Sequence, residues 1–482
     1  MAEGPVSADR MGIQDSSFLM FEGRRTHMHV AAVGIFEARR LRRRDGGLDI
    51  ARIRAFVDAK LESLPRYRQR LERTPIERSP VWVDDPRFNL EYHVRHIGLP
   101  RPGEEAQLKA LVGRILSQQL DRDKPLWEIY LIEGLEGDRF AMLMKVHHCM
   151  VDGIAGMGLL NRLLSPDPDD EPEGSPDWQP RPSPGALRML AEVADRRLRT
   201  PVVEAARALG GALREPRGTW DELAASLRSM GGALGDGFRL VSDTPHNRPI
   251  GTNRRVDWVS FDLAEVKDLK KRLGGTVNDV VLTLVAGAIR RFLRGRGARV
   301  RGFDYRVVIP VNLRTLGDDG SSASGNRASA WFLSLPIGER DPLRRFQRIH
   351  RETDRLRRSN TAHGMELFMQ IVDWTGSPLL TWAGVQLAAR VHPYNLIVSN
   401  VPGPPMPLHL VGARMLAFYP QLPLFENQGL GVAVISYAGR VSFGLVGDWD
   451  VVPDLDRVAE ALRESRDELA HAVEQRERER GQ

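Results

Sequence analysis

A single cysteine, Cys149, stands among 482 residues. One thiol cannot build a disulfide framework within a chain and leaves no cysteine cluster for a structural zinc, so a reducing compartment is the natural setting. Long apolar runs are missing too: nowhere do about 18 uninterrupted apolar residues occur, the length a spanning helix needs. The best candidate, 429–447, is broken by Arg440 and centres on Tyr437-Ala438-Gly439-Arg440, which reads as the turn of a hairpin between two apolar strands. The opening residues, MAEGPVSADRMGIQDSSF, lack the basic stretch and apolar core of a secretory signal. A cytoplasmic place is therefore the expectation. Zinc-finger, RNP and basic-zipper patterns are absent, which argues against nucleic acid as a partner, and no short-period repeat is visible.

The chain has an ordinary globular composition, 42% hydrophobic and 27% charged, at a length that suits two or three domains. Sixty-nine Lys and Arg against 63 Asp and Glu give +6, a modestly basic balance that suits anionic lipid or the phosphates of a cosubstrate. After Leu164 the stretch SPDPDDEPEGSPDWQPRPSPG packs prolines and acids too densely for a regular element and reads as a linker. Beyond it Leu187, Leu190, Ala191, Ala194 and Leu198 recur at helical spacing among arginines, and Pro201 starts a second Ala/Arg-rich helix. Such a basic amphipathic pair either lies on a membrane or lipid-droplet surface or packs its apolar face on the protein. The Arg39 to Arg44 cluster reads as a solvated loop.

Patterning predicts strands near 28–36, 81–84, 126–133 and 139–147, and helices near 51–64, 104–119 and 153–164, before the linker. After it come strands near 255–261, 305–312, 331–336, 395–401 and 430–446, with helices near 263–273, 276–294, 342–358, 364–390 and 454–477. Strands and helices mix in both halves, which predicts two α/β layered domains, 1–165 and 251–482, joined by 166–250.

The sharpest local signal is His147-His148-Cys149-Met150-Val151-Asp152-Gly153, where an apolar strand gives way to a helix rich in small residues. Strand ends that feed a loop and helix are where α/β proteins place chemistry. Alternation sends His147 and His148 to opposite sides, so one of them is structural. An imidazole with an ordinary pKa near 6.5 can take a proton from a hydroxyl and return one to a thiolate, which suits acyl transfer from a thioester. His148 is the better base, as the His of the HxxxD spacing, and His147 supports it. Asp152 is structural, either capping the helix or holding an arginine, and Gly153 lets substrate approach the loop. Cys149 lacks an oriented partner and reads as buried filler, and adjacent histidines followed by Asp do not make a zinc site.

Around this motif the sequence resembles the bacterial wax ester synthase/diacylglycerol acyltransferases, within the chloramphenicol-acetyltransferase-like, CoA-dependent acyltransferases. The resemblance rests on an ordered set of segments along nearly the whole chain. These are Asp15-Ser16-Ser17-Phe18, Met28-His29-Val30, Pro125-Leu126-Trp127-Glu128, the His147 motif, Asn278-Asp279-Val280-Val281-Leu282, Pro310-Val311-Asn312-Leu313-Arg314, Gly325-Asn326 and Ser399-Asn400-Val401-Pro402-Gly403-Pro404. Asn312 stands where the family motif usually has Ser, and Gln14 where many members have Pro.

The resemblance implies an α/β (α+β) fold of two chloramphenicol-acetyltransferase-like domains, each a mixed sheet with helices, with an active-site tunnel at their interface and His148 midway along it. It further implies direct transfer from acyl-CoA, without an acyl-enzyme, and no metal or other cofactor. Asn278 becomes the candidate oxyanion donor, with a helix-start role as the alternative. Arg314 becomes the partner of Asp152 across the interface, or else an ordinary surface arginine. Pro125, Leu126 and Trp127 would shape the acyl-CoA entrance, although Trp127 equally suits a core position. The segment Ser399 to Pro404 would pin one domain to the other.

Three functions follow as expectations: an O-acyltransferase making triacylglycerol or wax esters, a relative acting on a specialised polyketide-type alcohol, and a non-catalytic lipid-droplet protein. Acyl-CoA and diacylglycerol or a long-chain alcohol are the expected partners, with a peripheral place at the inner membrane or lipid inclusions left open. Tunnel shape sets acceptor choice, and one methylene more or less changes it little.

Overall fold

The computed structural model describes residues 9–75, 78–150, 162–170, 178–183, 185, 241–312, 328–358 and 394–480. The expected amphipathic pair after Leu187, the helix at 364–390, most of the helix at 153–164, and Asp152, Gly153 and Arg314 lie outside them.

The strands are β1 (Asp9–Arg10), β2 (His29–Glu37), β3 (Gln69–Arg73), β4 (Pro80–Asp84), β5 (Val94–Gly98), β6 (Trp127–Leu135), β7 (Arg139–His147), β8 (Arg254–Asp262), β9 (Tyr305–Asn312), β10 (Ala328–Leu335), β11 (Leu396–Pro402), β12 (His409–Leu410), β13 (Ala413–Gln421), β14 (Leu430–Tyr437) and β15 (Arg440–Asp448). The helices are α1 (Ile13–Phe21), α2 (Ile50–Leu61), α3 (Leu90–His93), α4 (Glu105–Leu116), α5 (Leu263–Leu273), α6 (Val277–Gly295), α7 (Pro342–Arg358) and α8 (Leu455–Arg480). Two six-stranded mixed sheets dominate, ordered β12-β13-β2-β7-β6-β5 and β10-β9-β11-β14-β15-β8, beside a small β1-β4-β3 sheet.

In the first sheet β7 is central, paired antiparallel with β2 on one side and β6 on the other. It is buried on both faces from Phe140 to His147, which is why it reads as a near-continuous apolar run. One face, with Met142, Met144 and Val146, packs on Trp127 and α2. The other, with Ala141 and Leu143, packs on α4 and on Val256 and Trp258 of β8, so this core is shared between the halves. Gly113 on α4 permits that approach: a Cβ there would stand 2.8 Å from the Arg254 carbonyl oxygen.

Against the second sheet α6 is the buried centre of the core. Its start is a capping box, Thr276 Oγ1 accepting the Asp279 N–H and the Asp279 carboxylate accepting the Thr276 N–H, an arrangement worth about 1 kcal/mol. Asp279 also receives hydrogen bonds from His350 at 2.9 Å and Thr353 at 2.7 Å, which ties α6 to α7. The β14–β15 turn places Ala438 and Gly439 at φ 43° and 82°, the left-handed pair a two-residue hairpin needs. The 430–446 stretch is thus a hairpin. No single described helix is long and apolar enough to cross a membrane.

The link between the halves is not where Ser399–Pro404 suggested. That segment belongs to β11, which runs parallel between β9 and β14 inside the second sheet. The crossing strand is β13, which leaves the C-terminal half and pairs antiparallel with β2, Phe418 opposite Gly34 and Tyr419 opposite Val33. Tyr419 stacks on Trp258 of β8 with ring centroids 4.7 Å apart, and a Cβ on Gly444 of β15 would meet the Pro420 carbonyl oxygen. Part of the proline-rich linker docks on the first half, where Arg181 grips the Asp84 carboxylate with Nε and Nη2 at 3.0 Å each. The Arg39 to Arg44 loop pairs with acids, Arg40 with Asp169 and Arg42 with Glu133 and Asp138.

Candidate functional site

The site forms where β7 stops. Leu126 presents its carbonyl to the His147 N–H at 2.9 Å and Met28 presents its own to the His148 N–H at 2.7 Å. The chain then tightens into a 3-10 turn, His148–Met150. Two segments quoted for the family resemblance, Met28-His29-Val30 and Pro125-Leu126-Trp127, therefore act first as the backbone frame of the histidine pair.

The two imidazoles diverge, as alternation requires. His147 turns to the α4 side of the sheet, 1% exposed, where its Nδ1 accepts the Cys149 N–H at 3.1 Å and its Nε2 lies 3.5 Å from Glu22 Oε2. Glu22 is buried at the end of α1, clasped by Arg122 through Nε at 2.9 Å and Nη2 at 2.5 Å, with His29 Nε2 3.3 Å from Oε1. Burial alone would raise that carboxyl, yet the His147 and His29 imidazoles and the Arg122 guanidinium hold it well below the usual carboxylate range. His29 is lowered as well: desolvation pushes it down to about 3, so it is neutral.

His148 turns toward α1, and Phe18 lies flat on it with ring centroids 3.8 Å apart and planes 18° from parallel. The residue keeps some accessible surface, but its Nδ1 is buried, and desolvation pushes the imidazole down to about 4. At neutral pH it therefore carries a free lone pair, the state a general base needs. Its Nδ1 makes no hydrogen bond among the described residues.

Cys149 is 4% exposed in a pocket of Trp82, Leu120 and Leu126, and burial drives its thiol well above the ordinary range. Those surroundings suit a packing side chain and offer nothing that would form a thiolate. Leu126 and Trp127 are 0% and 1% exposed, and Pro125 is buried. The Trp127 indole donates to the Tyr67 carbonyl at 2.7 Å and its ring stacks on His93 at 4.6 Å, the core alternative for this residue. None of the three presents open surface for an acyl-CoA entrance.

Asn278 sits in the first turn of α6, where Asn400 of β11 donates from Nδ2 to its Oδ1 at 3.1 Å. The NH2 of Asn278 makes no hydrogen bond among the described residues, which leaves a donor free. No hydrogen bond, ion pair or ring contact joins Asn278 to His148 among the described residues. A cleft of about 580 Å3 opens between the halves, lined by Leu99, Gln107, Leu111, Arg114, Arg254 and Trp449 among others. None of the described motif residues is among those lining it.

Sequence reasoning gave no role to Phe18, Glu22, Arg122 or Asn400. Phe18 and Asn400 lay inside quoted segments, but nothing in spacing links them to His148 or Asn278. Glu22 and Arg122 had no signal at all, because they meet only when α1 and the loop before β6 fold over β7. The described residues include no group of three or more His, Cys, Asp or Glu arranged to hold a metal.

Comparison with known proteins agrees with this architecture. The wax ester synthase/diacylglycerol acyltransferase catalytic domain model matches residues 11–281, and the corresponding C-terminal domain model matches 324–470. A Mycobacterium tuberculosis protein, by name a diacylglycerol O-acyltransferase, is 33% identical over 476 residues, covering 96% of this chain and 99% of its own. A second from the same organism, also by name a diacylglycerol O-acyltransferase, is 32% identical over 477 residues, covering 97% and 91%. Among solved structures, the wax ester synthase/diacylglycerol acyltransferase of Marinobacter aquaeolei VT8 superposes with a TM-score of 0.69 at 26% identity, over 96% of this chain and 99% of that one. The first condensation domain of the calcium-dependent antibiotic synthetase reaches 0.58 at 16% identity over 97% of each chain, which is likeness of the two-domain fold alone. This chain is an O-acyltransferase and belongs to the wax ester synthase/diacylglycerol acyltransferase family.

Proposed function

We propose that the chain transfers an acyl group from acyl-CoA straight to a hydroxyl, with His148 as general base, making triacylglycerol from diacylglycerol, wax esters from long-chain alcohols, or both. The observation that carries this is the enclosed, neutral imidazole of His148 at the end of the central strand, with Phe18 excluding water from one face. The names of the relatives support the diacylglycerol acceptor, and the Marinobacter structure supports both acceptors.

His148 accepts the hydroxyl proton as the oxygen attacks the thioester carbonyl. The tetrahedral oxyanion then collapses, the C–S bond breaks, and the imidazolium returns its proton to the CoA thiolate, so no acyl-enzyme forms. Asn278 supplies an oxyanion donor from its free NH2, an effect worth a few kcal/mol where such donors are well placed. Asp152 and Arg314 act as an architectural pair, and Gly153 leaves room beside the loop for substrate. Acyl-CoA is the cosubstrate, and the scheme calls on no metal or other cofactor. The enzyme works in the cytoplasm, meeting its apolar acceptor at the inner membrane or at lipid inclusions.

Purified protein given palmitoyl-CoA with hexadecanol or dioleoylglycerol should release CoA and form ester, and His148→Ala should lose both. Ester formation that survives in His148→Ala would sink the base assignment. CoA release without ester would point to thioester hydrolysis or to another acceptor.

A further inference from the structure

We propose that Glu22 is a positioning residue for His148, its carboxylate fixing the His147 ring in the orientation and tautomer that close the turn carrying the base. The inference rests on the reading of His148 as general base.

The tautomer follows from one bond. A backbone N–H can only donate, so the Cys149 N–H that reaches His147 Nδ1 at 3.1 Å requires a lone pair there. A ring proton then belongs on Nε2, and Nε2 faces Glu22 Oε2 at 3.5 Å, within reach of a charge though long for a hydrogen bond. With Nδ1 turned back over residue 149, the ring of His147 becomes a brace inside the same turn that bears His148. Rotation of that ring by 180° would put Cδ2–H where Nδ1 stands, leaving the Cys149 N–H without an acceptor and turning Nε2 away from Glu22.

Glu22 also stands one helical turn after Phe18, and its own N–H closes that turn on the Phe18 carbonyl at 3.1 Å. A single turn of α1 therefore touches both histidines, Phe18 on the face of His148 and Glu22 at the edge of His147. Any shift of α1 moves both contacts together.

The carboxylate is itself held. Its side chain is 3% exposed, and Arg122, 42% exposed, binds it through two nitrogens while His29, the cross-strand partner of His147, approaches the other oxygen. Keeping a charge in such a place is unfavourable unless it is paired, and an apolar side chain would fill the same space at less cost. A brace for an imidazole edge needs that charge, whereas a filler does not.

The test is steady-state turnover of palmitoyl-CoA and dioleoylglycerol by Glu22→Gln, His147→Asn and the double variant, with His148→Ala alongside. His147→Asn keeps an acceptor near Nδ1 but gives up the edge that faces Glu22. Glu22→Gln should lower kcat roughly tenfold with the KM for acyl-CoA unchanged, and the double variant should be no slower than the slower single. Wild-type kcat in Glu22→Gln, or losses that multiply in the double variant, would overturn the proposal. If Glu22→Gln fails to fold, Arg122→Gln, which frees the carboxylate from the exposed side, should show the same loss in kcat at constant KM, and an unchanged kcat there would overturn it equally. Activity retained by His148→Ala would instead remove the base reading, whatever Glu22 does.

Discussion

Phe18 of α1 covers one face of His148, the two rings nearly parallel at 3.8 Å, so the proposed base is shielded by a side chain more than a hundred residues away in the chain. Stacking of this kind contributes about 1 kcal/mol, but its larger effect is to exclude water. Burial holds His148 at about 4, so its imidazole stays neutral until the pH falls through that value. Phe18→Ala admits water, stabilises the imidazolium, and should move the acidic limb of kcat/KM upward by about one unit toward the ordinary histidine value. A pH profile of the two proteins decides it, and an unmoved limb would show that Phe18 does not control solvation of the base.

Cys149 adjoins the base in sequence yet is packed among Trp82, Leu120 and Leu126, with its thiol raised by burial. Cys149→Ala should keep kcat within about threefold of wild type while losing about 1 kcal/mol of stability for the small void. Iodoacetamide should leave the native thiol unmodified. Activity that disappears in this variant would bring back a covalent route.

Gly444 and Gly113 sit where one backbone passes close against another. A Cβ on Gly444 would collide with the Pro420 carbonyl of the crossing strand, and one on Gly113 would press on the Arg254 carbonyl at 2.8 Å. Both obstacles are backbone, so neither can swing aside. Gly444→Ala should cost about 3 kcal/mol and Gly113→Ala somewhat less, seen as a lower urea midpoint, because overpacking forces the sheets apart. A wild-type midpoint for Gly444→Ala would mean that β13 can slide on β2.

Acid should unfold the protein earlier than its carboxylates alone predict. His29 and His246 are pushed down to about 3 and His93 to about 4, in each case chiefly by desolvation. Their folded values lie below the unfolded value near 6.5, so the unfolded chain binds more protons between pH 6.5 and 4, and stability falls as pH falls. Each contributes up to about 2 kcal/mol of loss by pH 5. Glu22, also depressed, adds its share only below the ordinary carboxylate range, with the same sign. Urea midpoints at pH 7.5 and 5 measure the sum, and replacing His246 with Gln, which can still meet Tyr305, should flatten the slope.

Local pattern alone determined a great deal. Alternation and apolar runs located β2, β6, β7, β8, β9 and the β14–β15 hairpin to within a few residues, and helical spacing located α2 and α5 to α8, because each of these elements buries a face whose period survives in the sequence. The His147–His148 pair announced itself by residue type, and the divergence of its side chains by strand alternation. What the tertiary structure decided are relationships between distant segments. β13 carries Pro420 and the charged Arg414 within a weakly patterned stretch, so neither its strand character nor its exchange into the first sheet was legible, and the crossing was looked for at Ser399–Pro404 instead. The same holds for Trp127, whose place in the core depends on Tyr67 and His93, and for Phe18, Glu22 and Arg122 around the histidines. Local sequence records which face of an element is apolar, whereas the environment of a base is set by side chains that converge only when the sheets and α1 close over it.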